Sequence, residues 1–560
     1  MIKSKLFQIP VLFFSLFVLP AMAQNVYHVN INNGDDTNDG LKWSTAFENI
    51  QPAIDTASEG DTIKVAAGTY YPTKKISEKR GSETNPTDPT DELNRSFLLK
   101  KNIKLYGGFP PNSSDATTMS SRDWTRYQTI LSGDFNNDDG YNFENTSENA
   151  HHVIVMLNAS SNMLIDGFYI TGGGGEKKEP TSSVYVDNIL IEQTEGGGIY
   201  AMTSHSSTIN SSPVLSNLVI KNNKVLHNGG GLYNYSNGGD ASPTLINVTM
   251  TNNVAGERGG GFYNDGKAFS QPKLYNVNIT GNKADLEGGG FMCVAEIEES
   301  SPILENVLIS GNNANVGAGI NIFSMSTNAY PVLTNTTICG NKANVNGGVG
   351  GMYIVSTGEA KPYIKNSVLW GNKSNVKGSD NLATTGRGGN NYDISYSLIE
   401  GADFLDDTNL SGDTDPKFVN HVDADLAPTT LGMSNYGLTD ESPLVNKGNN
   451  NYVSLRYDLA GEERIFSDFV DIGAFEFQHI AVSPGNETIT AEKSIWSHQN
   501  SLYIKVNNNA VTVRIFSVNG MLVRQINNLT EGTHTIPLPK ALYIVTLSTG
   551  ESAKILIGNN

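Results

Sequence analysis

The chain is poor in cysteine, in charged residues and in long apolar runs, and each shortage excludes a class of protein. Two of its 560 residues are cysteine, whereas small secreted proteins held together by disulfides use many more. Charged residues make up 17% of the chain, against roughly 25% in ordinary globular domains, which excludes a charge-rich disordered chain or a coiled coil. Beyond residue 23 no segment reaches the ~18 apolar residues of a membrane-spanning helix, so we expect no integral membrane protein.

Positive charge is scarcer than negative charge. The chain has 38 Lys and Arg against 57 Asp and Glu, which gives a formal net charge of −19. Such a surface repels phosphate backbones and anionic lipids. We therefore expect no nucleic-acid partner and no binding to anionic membranes. Tight binding of polyanionic glycans is also disfavoured, unless a local basic patch overrides the average.

The first 23 residues have the features of a secretory signal peptide. Lys3 and Lys5 form a positive start, residues 11–19 are apolar, and residues 21–23 (Ala-Met-Ala) make a small-x-small cleavage site. The apolar stretch is too short for a membrane span. We expect a protein that is secreted or attached to the outer cell surface.

Proline and glycine are abundant and regularly placed. Six prolines between residues 213 and 362 follow one another at intervals of about 30 residues. A fixed period of this length indicates a stacked repeat. Two and seven positions after each proline the residue is aliphatic or Met, and the eighth is mostly polar, which is the alternation of a strand with one buried face. The prolines of the repeat are Pro213, Pro243, Pro272, Pro302, Pro331 and Pro362.

Asparagine occupies two columns of the repeat, four and ten positions after each proline. Asn tolerates left-handed turn geometry, and its amide can bond to the amides stacked above and below it. We therefore predict two asparagine ladders at turn positions of a solenoid. The first column is Asn217, Asn247, Asn276, Asn306, Asn335 and Asn366, and the second is Asn223, Asn253, Asn282, Asn312, Asn341 and Asn372.

Glycine triplets at 229–231, 259–261 and 288–290 complete the repeat. Glycines there permit a tight corner and a close approach of neighbouring coils. Two turns and a glycine corner divide each coil into three segments, so we expect three short strands per coil. The prediction is an all-β chain: a right-handed parallel β-helix over residues 24–390, with an N-terminal cap. Helical repeats lack support because no 3.6-residue period persists through the units.

The same alignment places the two cysteines apart. Cys339 falls on the outward face of one strand, and Cys293 falls on the inward face of another, two coils away. At ~4.8 Å per strand they are ~9–10 Å apart along the axis, beyond the ~7 Å limit for the Cα atoms of a disulfide. We expect two free thiols.

Three stretches resemble known families. Residues 26–71, with Gly-Asp-Thr-Ile at 60–63 and Ala-Gly-Thr-Tyr at 67–70, resemble the start of secreted bacterial right-handed β-helix proteins with the pectin-lyase-like fold. Residues 442–477, with Asp-Ile-Gly-Ala-Phe-Glu at 471–476, resemble the module called choice-of-anchor Q. The period of the repeat fades after Trp370, and residues 391–478, which include this module, are expected to form a terminal segment of the β-helix.

The last stretch is similar to the type A sorting domain of type IX secretion in Bacteroidetes. Phe-Ser-Val-Asn-Gly at 516–520, Leu-Tyr-Ile-Val at 542–545 and Lys554 carry the match, with Ala541 and Leu542 where family members often have Gly. The resemblance implies that residues 485–560 form a small β-sandwich-like module and that the type IX secretion machinery is a partner. An ordinary immunoglobulin-like accessory domain is the alternative for this module.

Residues just before the glycine corner are candidates for a polar glycan subsite. Glu195, Arg258 and Glu287 share this column, and Arg258 and Glu287 should be neighbours on adjacent coils. The alternative is a solvated ion pair between coils, worth under about 1 kcal/mol.

Tyrosines just after the corner are candidates for an aromatic strip. Tyr200, Tyr233 and Tyr263 should point outward and stack at coil spacing, which suits sugar rings. A ladder that only stabilises the sheet is the alternative.

Residues 134–140 (Asp-Phe-Asn-Asn-Asp-Asp-Gly) resemble half of a calcium loop. Asp134, Asn136 and Asp138 would supply the oxygen ligands, and calcium is the one candidate cofactor. Gly140 comes one place later than an EF-hand requires, and the Glu at the twelfth position is missing, so a solvated acidic turn is the alternative.

The catalytic residues stay unknown. A lyase needs a Lys or Arg base and a cation for the uronate, and a glycosidase needs two nearby carboxyls. The repeat shows neither a cluster of Lys and Arg nor Asp pairs at adjacent coil positions. The favoured hypothesis is a secreted or cell-surface β-helix protein that binds a polysaccharide or cell-surface glycan, as an adhesin does. A polysaccharide lyase or glycoside hydrolase is the alternative, and a structural fibre element without a ligand is the third.

Overall fold

The structure is a computed structural model. It describes residues 24–76, 91–140, 142–174, 183–203, 210–325, 327–375, 380–387, 391–402, 407–478, 495–498, 501–506, 511–517, 522–538, 541–548 and 552–557. The predicted signal peptide, residues 1–23, lies outside the described residues. The chain divides into two compact units, residues 1–479 and 480–560.

Three parallel sheets run through the first unit, and the five coils that begin with the strands at 214, 244, 273, 303 and 332 each contribute a strand to all three. One coil, for example, supplies Val214–Lys221 to the first sheet, Lys224–Val225 to the third and Leu232–Ser236 to the second. The prediction of a right-handed parallel β-helix with three strands per coil is confirmed.

Each sheet is built from strands of successive coils. Within the described residues, the first sheet contains Val26–Val29, Thr62–Ala66, Gly68–Tyr70, Lys104–Phe109, Thr129–Ser132, Leu164–Asp166, Tyr169–Thr171, Val214–Lys221, Thr244–Thr251, Lys273–Thr280, Ile303–Ser310, Val332–Thr334, Thr337–Cys339, Tyr363–Lys365, Val368–Trp370, Asp393–Ser395 and Leu398–Ile399. The second contains Phe97–Leu99, Ile154–Leu157, Ile199–Thr203, Leu232–Ser236, Phe262–Gly266, Phe291–Ala295, Ile320–Ser324, Met352–Ser356 and Leu382–Thr385. The third contains Lys224–Val225, Val254–Ala255, Lys283–Ala284, Asn313–Ala314 and Lys342–Ala343.

Few other elements interrupt this unit. One α-helix, Ile50–Thr56, packs its buried residues at the start of the β-helix, where a cap was predicted. An antiparallel hairpin joins Ser183–Val186 to Ile189–Glu192 and is called the cover hairpin below. Short 3₁₀ helices span Trp43–Thr45, Glu92–Asn94, Met119–Ser121, Ala424–Leu426, Met433–Tyr436 and Asn450–Tyr452.

The aliphatic columns of the repeat form the core between the sheets. Leu215, Leu245 and Leu274 pair in register on successive coils and are fully buried. The column seven positions after each proline is buried in the same cluster. Burial of these side chains contributes roughly 1.5–3 kcal/mol each, which makes the stacked columns the main source of stability.

The first asparagine column forms the predicted ladder at a turn, with amide bonds that run from Asn217 to Asn306. All six of its residues have positive φ, from 47° at Asn335 to 55° at Asn276. The Nδ2 of Asn276 donates to Oδ1 of Asn247 at 3.2 Å, and that of Asn247 donates to Asn217 at 3.0 Å. Left-handed backbone at one point of each coil lets the chain turn, and Asn adopts it more readily than most residues.

The second column forms a ladder inside the core and differs from the prediction in one respect. Its amides bond from coil to coil at 2.8–3.1 Å and are buried. Positive φ belongs to the residue before each ladder Asn, such as Asn252 or Gly281. That preceding residue makes the turn, so the ladder Asn can point inward and its Nδ2 can bond a core carbonyl, as Asn282 does with Met250 at 3.0 Å.

Both cysteines are free and buried, as expected. Cys293 lies in the core between the sheets. Cys339 faces outward from the first sheet, where it packs in a cluster with Val422, Tyr436 and Phe475. Part of the chain between residues 407 and 478 therefore covers the outer face of the first sheet.

The second unit contains two antiparallel sheets. Ile495–His498, Ser501–Val506 and Gly532–Pro537 form one, and Val511–Ser517, Leu522–Leu529, Ala541–Leu547 and Ser552–Ile557 form the other. Residues of both sheets share one apolar cluster, which agrees with the small β-sandwich-like module predicted for this end of the chain. Among the described residues, no helix is long and apolar enough to cross a membrane.

The inner ladder predicts a stability effect at Asn282. Replacement by Ala removes the amide that accepts from Asn253 and donates to Asn312 and Met250. Since buried polar groups without partners are costly, we expect Asn282→Ala to lower the free energy of unfolding by at least about 2 kcal/mol. Urea unfolding followed by tryptophan fluorescence measures this change. The exposed Asn162→Ala serves as control and should change stability by less than about 0.5 kcal/mol. Equal stability of the two variants would contradict the structural role of the ladder.

Candidate functional site

Two rows of side chains cross the strands of the second sheet on its outer face. Residues that directly precede the first row, such as Leu232 and Phe262, belong to the core cluster, so by alternation both rows point away from the core. The first row runs Val155, Tyr200, Tyr233, Tyr263, Met292, Asn321 and Tyr353, in parallel register from coil to coil. The second row runs Leu157, Met202, Tyr235, Asp265, Val294, Phe323 and Val355.

The three predicted tyrosines stack as a ladder. The ring centroids of Tyr200 and Tyr233 are 5.1 Å apart, and those of Tyr233 and Tyr263 are 5.5 Å apart with planes only 3° from parallel. The ladder is buried: Tyr200 is 1% exposed, and Tyr233 and Tyr263 are each 8% exposed. Tyr200 therefore presents almost no ring surface to a sugar.

The cover hairpin contributes to this burial. Val184, Val186, Ile189 and Ile191 of the hairpin belong to one apolar cluster with the tyrosine ladder. Sequence analysis missed the hairpin, although the sequence contains a signal for it: alternating apolar residues flank Asp-Asn at 187–188. In the structure both turn residues have positive φ. Such a pair favours a two-residue hairpin turn.

Further along the same face, a groove of about 380 Å³ opens on the second sheet. The groove is lined by the residues of both rows that follow Tyr233 and Tyr235 along the face. The residues that line this groove are Arg258, Tyr263, Asp265, Glu287, Met292, Val294, Asn321, Phe323, Met325, Tyr353 and Val355.

Three of the six predicted glycan-binding residues line the groove. Arg258 and Glu287 are neighbours on adjacent coils, as expected, and the Arg258 Nε lies 3.1 Å from a Glu287 carboxylate oxygen. Arg258 Nη1 also lies 3.2 Å from Glu257. Tyr263 is the third. The lining does not include Tyr200, Tyr233 or Glu195.

Glu195 lies at the corner before the tyrosine ladder. Its Oε1 accepts a hydrogen bond from Asn228 Nδ2 at 3.0 Å, while its Oε2 is buried without a partner in the described part of the chain. Burial raises the pKa of Glu195 to about 7. The carboxyl group is therefore partly protonated at neutral pH, which suits its place against the tyrosines.

Two polar residues of the groove escaped sequence analysis. Asp265 accepts a hydrogen bond from Tyr263 Oη at 3.0 Å, and its other oxygen is buried without a partner among the described residues. Asn321 is 3% exposed, and its Oδ1 has no partner among the described residues either. Both interrupt otherwise apolar or aromatic rows, and this interruption is the signal that could have identified them.

This arrangement combines two features of a ligand site. Phe323 and Tyr353 are partly exposed and offer aromatic surface, while Asp265 and Asn321 offer polar atoms that the protein leaves without partners. Concave sites for small organic ligands typically have this mixture of apolar lining and a few polar groups. The groove can therefore bind a molecule with both apolar faces and hydroxyl groups.

The predicted calcium ligands are only partly brought together. Asp134 belongs to a group of carboxylates with Asp139 and Glu148, whereas Asn136 and Asp138 are exposed and outside that group.

Comparisons with known proteins add little to this geometry. No protein-family model matches the chain, and no curated protein matches it. Among solved structures, a crystal structure of pectate lyase Pel9A matches with 14% sequence identity and a TM-score of 0.35, covering 81% of this chain and 97% of that one. A likeness this weak says nothing about activity, and the fold is assigned from the strand pairing. The resemblances to choice-of-anchor Q and to the sorting domain remain predictions.

The buried carboxyl group of Asp265 predicts a pH-dependent stability. Burial raises its pKa from the usual 3.8 to about 7. The unfolded chain therefore loses this proton first, and the carboxyl group lowers the stability of the folded state progressively between about pH 4 and pH 7. The side chain of the Asp265→Asn variant cannot ionise. Above pH 7 we therefore expect the free energy of unfolding of this variant to be higher than that of the wild type by up to about 4 kcal/mol. The two should be equally stable at pH 4.

Urea unfolding from pH 4 to pH 8 measures this difference. The control is Asp285→Asn, since Asp285 is exposed and pairs with Lys283 at 2.8 Å; its effect should be small and should not rise between these pH values. A stability difference for Asp265→Asn that is constant with pH would show that Asp265 ionises normally.

Proposed function

We propose that the protein is a secreted or cell-surface β-helix protein that binds a polysaccharide in the groove of the second sheet. The observation that carries this proposal is the coincidence, in one groove, of exposed aromatic surface with buried polar atoms that lack partners. Phe323 and Tyr353 supply the aromatic surface, and Asp265 and Asn321 supply the polar atoms.

Sugars match this combination because a pyranose ring has an apolar face and a rim of hydroxyl groups. Aromatic rings stack on the apolar face. The hydroxyl groups donate to acceptors such as Asn321 Oδ1 and accept from donors such as a protonated Asp265. Ligand hydroxyls would thus satisfy polar atoms that otherwise remain without partners in the described structure.

The charges of the groove favour neutral polysaccharides over polyuronates. Among the described residues that line the groove, Arg258 is the one cation, and Glu257 and Glu287 already pair with it. A uronate carboxylate would therefore meet net negative charge and no unpaired cation among the described lining residues, in a chain whose net charge is −19.

The same charges bear on the enzymatic alternatives. A lyase must neutralise the uronate and remove a proton with a base, and the single, already paired Arg258 serves neither need. A glycoside hydrolase is the second candidate, since it needs one protonated and one ionised carboxyl group. Asp265, with its raised pKa, is the candidate for the protonated group, and Glu287, paired with Arg258, is the second carboxyl group of the groove.

Export is part of the proposal. It is supported by the signal-peptide features of residues 1–23 and by the separate β-unit at the C-terminal end, where the sorting-domain motifs lie. The machinery of type IX secretion is the proposed partner for that unit. Mass spectrometry of the mature protein from the culture medium and from the cell surface would locate the cleavage site after the signal peptide and show whether the C-terminal unit is retained.

Affinity electrophoresis of the full chain tests the groove. We expect gels that contain neutral polysaccharides such as xylan, mannan or β-glucan to retard the wild type, and gels that contain polygalacturonate or alginate not to. Phe323→Ala and Tyr353→Ala should each weaken binding by about tenfold, because one aromatic contact contributes roughly 1 kcal/mol or more. Tyr275→Ala removes a tyrosine from the first sheet and should bind like the wild type.

Two outcomes would count against binding in the groove: no retardation in any of the gels, or equal retardation of the groove variants and Tyr275→Ala. Release of reducing sugar, abolished by Asp265→Asn, would establish the hydrolase instead. Ultraviolet absorbance from unsaturated uronides would establish the lyase and contradict the charge argument.

A further inference from the structure

The floor of the groove on the second sheet carries polar groups on two of its strands and none on the strand between them. The strands Phe262–Gly266, Phe291–Ala295 and Ile320–Ser324 lie side by side in parallel register. The first contributes Asp265 to the groove, and the third contributes Asn321. These two side chains are therefore separated by two strand spacings, about 9–10 Å along the axis of the β-helix.

The middle strand, Phe291–Ala295, contributes Met292 and Val294 to the groove. Both side chains form its floor, with 1% and 6% of their surface exposed. Neither side chain donates a hydrogen bond, and the thioether of Met292 is only a weak acceptor. An unsubstituted sugar ring above this strand would therefore lose water from its hydroxyl groups without gaining protein partners, which is unfavourable.

An exposed methionine extends this apolar floor. Met325 directly follows the strand Ile320–Ser324, and its backbone N–H donates to the carbonyl oxygen of Ala295 at 2.9 Å. That bond holds Met325 beside the end of the middle strand, where it lines the groove with 48% of its surface exposed. Phe323 packs against the same apolar cluster as the floor. The flexible side chain of Met325 suits an apolar group of irregular shape.

The ligand must match polar and apolar parts of the groove at fixed places. A wholly apolar molecule would leave Oδ1 of Asp265 and of Asn321, which have no partner among the described residues, unsatisfied. A sugar with hydroxyl groups alone would find no match at the middle strand. A sulfate or phosphate substituent would meet Glu257 and Glu287, which already pair with Arg258. A neutral substituent with a short apolar end satisfies all of these conditions.

We propose that the polysaccharide bound in this groove carries O-acyl groups of the acetyl type, and that Met292, Val294 and Met325 hold the methyl end of one of them. This inference rests on the proposed function and adds the class of substituent to it. Acylation replaces a hydroxyl group by an ester. It therefore removes a hydrogen-bond donor and adds a methyl group at the place where the floor is apolar.

The polar groups on either side of the middle strand serve the rest of the ligand. Asn321 Oδ1 can accept a hydrogen bond from a sugar hydroxyl group. Asp265 lies one strand spacing from Val294, and in its protonated form it can donate to the carbonyl oxygen of the ester. Burial favours that form, because it raises the pKa of Asp265 to about 7.

Affinity electrophoresis with matched pairs of polymers tests this inference. Acetylated glucomannan and acetylated xylan are each compared with a portion of the same sample that has been deacetylated with mild alkali. The gels are run at mildly acidic pH, at which acetyl esters persist. We expect the full wild-type chain to bind at least one acetylated polymer about fourfold more tightly than its deacetylated partner, because burial of one methyl group contributes about that factor.

Two variants locate the acyl group. Met325→Ala removes part of the apolar contact and should reduce the preference for the acetylated polymer to less than about twofold. Val294→Thr keeps the shape of the floor but adds a hydroxyl group, and it should abolish the preference; thermal melting checks that it is folded. The control is Met119→Ala, which removes a methionine of similar exposure, 44%, that does not line the groove. It should keep the wild-type preference.

The possible results separate the acyl group from the polysaccharide. Equal binding of acetylated and deacetylated polymers by the wild type overturns the acyl inference and leaves polysaccharide binding in place. A wild-type preference that both Met325→Ala and Val294→Thr retain overturns it as well, because the acyl group would then lie elsewhere. Absence of binding to all four polymers contradicts the proposed function itself, and the acyl inference fails with it.

Discussion

Register between coils is the constraint on which the rest of the structure depends. Each coil must place its turns, its aliphatic side chains and its buried amides directly above those of the coil before, at the ~4.8 Å spacing of paired strands. The inner asparagine ladder enforces this register, because the amide of Asn282 bonds to Asn253, Asn312 and the carbonyl of Met250 on the neighbouring coils. A coil that slipped by one residue would bury polar groups without partners and turn aliphatic side chains outward.

Register also explains how a repetitive framework acquires a specific surface. The same position on successive coils forms a row, and a change of residue along the row changes the chemistry of the face. Stacked tyrosines under the cover hairpin give way to Met292, Asn321 and Tyr353 in the groove. In the neighbouring row, Asp265 is the acidic residue among apolar and aromatic ones. The framework supplies the spacing, and substitutions within the rows supply the polar groups.

The outer faces of the solenoid are covered unequally. Residues between 407 and 478 pack on the first sheet around Tyr436, and the cover hairpin packs on the start of the second sheet. The groove lies on the part of the second sheet that these elements leave open. Its charge is set by the corner column, where Arg258 is held between Glu257 and Glu287. Covering elements thus decide which stretch of a row is structural and which can contact a ligand.

The sequence by itself determined the period, the three-strand coil, the asparagine ladders, the free cysteines and the pairing of Arg258 with Glu287. All of these follow from contacts between equivalent positions of adjacent coils, which a repeat alignment already contains. Only the tertiary structure decided that Tyr200 is buried, that Asp265 and Asn321 share a groove with Tyr353, and that Glu148 joins Asp134. These depend on non-repetitive segments folding back onto the solenoid, and no period in the sequence records where such segments pack.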